Sequence, residues 1–133
     1  MPTSRLEAFS DGVIAIVITI LVLNIGSPNG SSFKDLLELG KKIFVYCYTF
    51  ILVAIYWNNH HHLFQISEST KGSILWANNL FLFNLTLTPF SASWISEFTF
   101  SLIPQVFFGV VILLADIAFL ILLVLLKKND SKG

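Results

Sequence analysis

Apolar residues run along this chain in four long stretches, each bordered or dotted by polar side chains. Residues 13–23 read Val-Ile-Ala-Ile-Val-Ile-Thr-Ile-Leu-Val-Leu without a charge, and the polar run 5–12 leads straight into them. About 20 such residues cross the ~30 Å hydrocarbon core of a bilayer as a helix, and residues 6–25 supply that length. A second helix is expected over about residues 36–64, with an amphipathic start, an apolar centre and the polar end Asn58-Asn59-His60-His61-His62. Its apolar centre is short for a span, so both polar ends belong to the helix. A third, over about residues 73–95, is apolar but spotted with Asn78, Asn79, Asn84, Thr86 and Thr88. The fourth, about residues 104–126, opens on Pro104, which suits a first helical turn, and carries Asp116 near its middle. The intervening segments 26–32, 67–72 and 96–101 have turn compositions and are too short to hold a soluble domain. The pattern predicts an all-α membrane protein, one transmembrane domain over residues 1–133 with four helices and no internal repeat.

Composition agrees. Of 133 residues, 55% are hydrophobic and 12% charged, whereas soluble domains carry about 25% charged residues. Zero net charge gives no electrostatic case for a nucleic-acid partner. The single cysteine, Cys47, lies in an apolar run and reads as a small buried hydrophobe. Glu7 and Asp11 precede the first apolar run and no convincing small-x-small site follows it, so that segment is expected to stay rather than be cleaved as a signal peptide. Four spans put both termini on one side. That side holds Arg5, Lys71, Lys127, Lys128 and Lys132 against Lys34, Lys41 and Lys42 on the other, and the positive-inside rule makes it the cytoplasmic side of a cell membrane. Trp57, Trp76 and Trp94 fall towards helix ends, as an interfacial aromatic belt requires.

The candidate chemistry starts with charge beside lipid. A charged group in hydrocarbon costs at least ~2.5–3.5 kcal/mol, so Arg5, Glu7 and Asp11 either lock the first helix to its neighbours or snorkel to the surface. Three consecutive histidines on a helix point about 100° apart and cannot converge on one ion, and the i, i+4 spacing of a helical zinc site is missing. No metal site is expected. Ser10 beside Asp11 lacks a strand-turn-helix elbow or an oxyanion loop, and no glycine-rich phosphate loop occurs. No enzyme and no cofactor are expected. Asparagines in the third helix suit interhelical hydrogen bonds of about 0.6 to 2 kcal/mol each. Asp116 has two readings, a proton-binding site or a neutral partner in a helix contact. Ile16, Thr19 and Leu23 share one helix face at i, i+3, i+7, with Gly12 one turn below. In a symmetric ring, branched apolar side chains gate by dewetting and a threonine offers oxygens to an ion. The same stripe also serves for packing against a neighbour.

The residues resemble a known family. Arg5-x-x-x-Phe9-Ser10-Asp11 at the start of the first helix is similar to the signature of the transmembrane protein 175 family of potassium channels. Trp57-x-x-His60 with Leu63-Phe64 resembles the end of that family's second helix. Trp76-x-Asn78, then Pro89-Phe90 and Glu97, resembles its third helix and following loop. The resemblance implies a potassium-selective, passively conducting pore formed by a homotetramer in the lipid bilayer, lined by the first helix, with K+ as the permeant ion. It implies Ile16 at the narrowest ring, Leu23 at a second apolar ring and Thr19 between them. Ala15 stands where the vertebrate form has a serine linked to selectivity. Polar contacts among Arg5, Ser10, Asp11, His60 and Asn78 are implied to hold the first three helices together, with Phe9 part of the motif. Bacterial subunits of the family have six membrane helices, and this chain resembles the first four. A small proton-coupled transporter using Asp116, Asp11 and His60, and a non-conducting membrane scaffold, are the alternatives.

Overall fold

Six α-helices make up the computed structural model, which describes residues 2–67 and 70–132. Residues 68 and 69, in the second of the predicted turns, lie outside the described residues, as do residues 1 and 133. Helix α1 (Thr3–Leu23) ends where the sequence turns to Asn-Ile-Gly-Ser-Pro. Gly26 there takes φ +73°, a left-handed conformation that glycine adopts without a Cβ clash.

Helix α2 (Phe33–Leu37) is five residues long and starts on a capping box. The Asp35 amide donates to Ser32 Oγ at 3.2 Å, and the Ser32 amide donates back to Asp35 Oδ2 at 3.1 Å. The Ser32 hydroxyl adds a third bond to the same carboxylate at 2.6 Å. These bonds, side chain first, hold the Asp35 carboxyl below its ordinary value. A turn at residues 38 and 39 separates α2 from α3 (Gly40–Gln65). The expected helix over 36–64 is therefore two helices. Gly40, a poor residue for a helix interior, falls at the junction, and the Ser32 cap fixes an earlier start.

The expected third helix over 73–95 is also divided, into α4 (Gly72–Thr86) and α5 (Thr88–Glu97). Pro89 has no N–H to give the Leu85 carbonyl four residues back. The Thr88 hydroxyl supplies that bond instead, at 2.6 Å, while Thr86 Oγ1 turns back to the Phe83 carbonyl, also at 2.6 Å. Neither 15 nor 10 residues reaches the ~17 that a spanning helix needs. Helix α6 (Leu102–Lys132) has 31 residues, roughly 46 Å at 1.5 Å per residue, so its polar end extends past the hydrocarbon. Three helices, α1, α3 and α6, are each long and apolar enough to cross a membrane. The four unbroken spans of the sequence pattern become three, plus a pair kinked at proline.

Helix α1 packs on α3, α4 and α5, and α6 packs on α4 and α5. Ile14, Val17 and Leu21 of α1 meet Val53 and Tyr56 of α3 and Phe81, Leu82 and Leu85 of α4 in one buried cluster. A second cluster joins Leu6, Leu63, Phe64, Ile74, Leu122 and Leu126 nearer the end where α1 starts. On α6 the buried positions are Pro104, Val111, Ala115, Ala118, Leu122 and Leu126, one helix face at spacings of three, four and seven. The two alanines let α6 approach closely, which matters in lipid, where van der Waals contact rather than the hydrophobic effect holds helices together. Large side chains such as Phe44, Trp76, Ile103 and Leu113 project outward, as an apolar solvent permits.

Candidate functional site

Two faces of α1 have opposite character. Leu6, Ser10, Ile14, Val17 and Leu21 are buried in the bundle. Gly12, Ala15, Ile16, Thr19 and Leu23 lie on the far side of the same helix, all exposed, with Ile16 at 61% and Leu23 at 70%. The separation follows from 100° per residue. Thr19 Oγ1 donates to the Ala15 carbonyl at 2.8 Å, so its oxygen keeps acceptor capacity on the exposed face.

At the start of α1 the buried Ser10 begins a chain of hydrogen bonds across three helices. Its hydroxyl donates to the Leu6 carbonyl at 2.8 Å and accepts from Asn78 Nδ2 of α4 at 2.9 Å. Asn78 Oδ1 is left to accept, and His60 Nε2 of α3 lies 2.7 Å from it. An amide that donates through its nitrogen to Ser10 fixes the direction of the rest, so the His60 proton resides on Nε2. All three residues are fully buried. The imidazole is sandwiched between Phe64, at 4.2 Å between ring centroids, and Phe81 at 5.7 Å.

Asp11 does not join that chain. Its carboxylate accepts from the indole N–H of Trp57 at 2.8 Å. One turn earlier, Glu7 Oε1 lies 2.9 Å from His61 Nδ1 and accepts from Gln65 Nε2 at 3.1 Å. Trp57 and His61 stack on each other at 5.3 Å. Arg5 and Phe9 are exposed, and no ion pair or side-chain hydrogen bond ties Arg5 to another described residue. The expected motif network thus divides: Ser10, His60 and Asn78 form one chain, Asp11 a separate contact, and Arg5 and Phe9 point outward.

Asp116, near the middle of α6, is exposed at its helix surface and accepts a hydrogen bond of 2.5 Å from the Tyr56 hydroxyl. Asn84 Nδ2 donates to the Leu114 carbonyl at 3.4 Å, tying α4 to α6. At the opposite end of the bundle Lys42 bridges to Glu97 at 2.9 Å, and the Lys41 ammonium lies 5.0 Å above the Phe100 ring. Among the described residues no three metal-ligating side chains converge.

Several partners are invisible to motif reading. Trp57 reads as a belt residue, yet its N–H serves Asp11. Glu7 reads as an interfacial charge, yet it faces His61 and Gln65. An antiparallel register between α1 and α3 would have found them. Asp11 with Trp57 and Glu7 with His61 are the same step, four residues up one helix and four down the other.

Comparison with known proteins places this arrangement. The family model described as endosomal/lysosomal potassium channel TMEM175 matches residues 5–89, which include the motif residues from Arg5 to Pro89 and exclude Phe90, Glu97 and α6. A potassium channel of Chryseobacterium sp. (strain P1-3) is 48% identical over 122 residues, covering 92% of this chain and 64% of the relative. The endosomal/lysosomal proton channel TMEM175 of Danio rerio is 29% identical over 71% of this chain and 19% of its own length. The crystal structure of a lysosomal potassium-selective channel TMEM175 homolog from Chamaesiphon minutus superposes with a TM-score of 0.77 at 31% identity. That match covers 88% of this chain and 67% of the solved one. The chain thus spans about two thirds of the length of these bacterial relatives. It is a multi-pass membrane protein, and it belongs to the TMEM175 potassium-channel family.

Proposed function

We propose that this chain forms a potassium-selective, passively conducting pore as a homotetramer, with the exposed face of α1 turned to the central axis. The observation that carries this reading is the division of α1. One face is engaged by α3, α4 and α5, and the opposite face leaves Gly12, Ala15, Ile16, Thr19 and Leu23 exposed among the described residues. A ring of four Ile16 side chains makes a constriction narrow enough to gate by dewetting, and Thr19 one turn on offers oxygens to a partly dehydrated ion. Similarity to a potassium channel of Chryseobacterium sp. and to a potassium-selective channel homolog of Chamaesiphon minutus supports K+ as the permeant ion. The Ser10–Asn78–His60 chain and the Asp11–Trp57 bond hold α1 at a fixed rotation, so the lining face stays aimed at the axis. Both termini are assigned to the cytoplasm on the lysine and arginine distribution.

The test is flux from liposomes holding the purified protein, with potassium or sodium as the only permeant cation. The wild type is expected to pass potassium faster than sodium. Ile16→Asn wets the constriction, so flux rises and the potassium preference falls. Unchanged flux at equal incorporation removes Ile16 from the gate. A mass of one subunit in size-exclusion chromatography with light scattering removes the tetramer.

A proton-coupled carrier is favoured by one observation, the Tyr56–Asp116 bond in the middle of two spanning helices. Against it, Asp116, Asp11 and His60 each have their own partner in Tyr56, Trp57 and Asn78.

A further inference from the structure

Between the last turns of α3 and the last third of α6 lies an open groove of about 350 Å³, within the range of small-molecule sites. Leu63, Phe119 and Leu123 form its floor, and Asn59, His62 and Lys127 its rim. All three rim residues are exposed, and neither His62 nor Lys127 makes an ion pair with another described residue. Among the described residues no carboxylate lines the groove. One turn deeper along both helices, the Tyr56–Asp116 bridge closes it.

Depth decides what such a groove can hold. Lys127 lies eleven residues beyond Asp116, ~16 Å along α6 at 1.5 Å per residue. That is about half of the ~30 Å hydrocarbon core. With Asp116 and its partner Tyr56 near the middle of the span, Lys127 sits at the level of lipid headgroups, His62 lies about 9 Å from the middle and Asn59 about one turn from it, and the floor runs inward among acyl chains. Among the described residues the rim offers a cation and N–H donors but no anion. It therefore matches a phosphate and leaves a choline or ethanolamine cation without a partner. Basic pockets between transmembrane helices are known to hold anionic headgroups. A free phosphate would use the rim and leave the apolar floor unfilled.

We propose that the groove binds an anionic phospholipid, its phosphate between Lys127 and His62, its glycerol esters towards Asn59 and an acyl chain over Leu63, Phe119 and Leu123. The lipid bridges α3 and α6. The assignment is independent of the conduction reading, because the groove lies on the bundle surface away from the exposed face of α1.

Native mass spectrometry of the detergent-purified protein tests it, with phosphatidylglycerol or phosphatidylcholine of identical acyl chains added. A saturable adduct with phosphatidylglycerol and little with phosphatidylcholine is expected. Lys127→Gln should weaken that adduct about fivefold, the effect of removing one cation from an anionic headgroup, and His62→Gln should weaken it further. Lys71→Gln, on the same membrane face but outside the groove, should leave it unchanged. Equal adducts with the two lipids overturn the proposal, and so does an equal loss in Lys71→Gln, which means diffuse attraction to the basic face. Leu123→Trp fills the floor and should remove the adduct while the elution volume holds. If it instead breaks an oligomer and leaves the lipid adduct intact, the groove seats another copy of the chain and the proposal fails.

Discussion

Ser10, Asn78 and His60 form a chain in which each donor has one available acceptor, and this makes Asn78 its least replaceable member. Asn78→Leu fits a similar volume but removes both the donor to Ser10 and the acceptor for His60. Ser10 still has the Leu6 carbonyl. Among the described residues the His60 Nε2 has no other hydrogen-bond partner, and a buried unsatisfied donor costs about 1–3 kcal/mol. Thermal unfolding in detergent should therefore come at a clearly lower Tm for Asn78→Leu. Arg5→Gln should leave the Tm of the subunit where it was, since Arg5 is exposed and unpaired among the described residues. If the two variants destabilise equally, the chain is not what fastens α1. The residue types of this network are legible in the sequence, because an amide, an imidazole and a hydroxyl at membrane depth need partners. Which of them pair is not legible, because pairing depends on helix register, and motif spacing within one helix does not encode that.

Helix boundaries follow from local chemistry wherever a cap or a proline acts. The capping box at Ser32 and Asp35 gives α2 a pH dependence whose sign is fixed. The folded-state value of the Asp35 carboxyl lies below its unfolded value, so its contribution is present above the unfolded value, about 4. It is lost as pH falls through the lower, folded one. Amide hydrogen exchange over 33–37 should quicken on acidification in the wild type, after correction for intrinsic rates, and be insensitive to it in Asp35→Asn. Protection that is identical at neutral and acidic pH contradicts the box. The kink at Pro89 was equally readable, since Thr88-Pro89 breaks the ladder and supplies a substitute hydroxyl. An apolar run that continues through the proline hides it, because hydrophobicity reports length in lipid and not the continuity of hydrogen bonding. The long spans α1, α3 and α6 were legible for the same reason: lipid demands about 20 apolar residues and leaves little else to choose.

For the whole molecule the question is whether Asp116 works or merely holds. A carboxylate at mid-span costs at least ~2.5–3.5 kcal/mol if charged and unaided, and the structure gives it the Tyr56 hydroxyl across the α3–α6 contact. Sequence shows the cost of Asp116 but not its partner, since Tyr56 lies 60 residues away on another helix. In the pore reading, conduction follows the α1 axis and α6 stands behind α4 and α5, so Asp116 is a clasp. Asp116→Asn keeps the shape and the acceptor oxygen for Tyr56 and removes only the ability to take up and release a proton. Potassium flux in liposomes should then continue near the wild-type rate, with the pH dependence little changed. A carrier that cycles a proton through Asp116 cannot survive the same substitution. Flux abolished in Asp116→Asn, with the oligomer intact in size-exclusion chromatography, would therefore transfer the function from a ring of α1 helices to the α3–α6 contact.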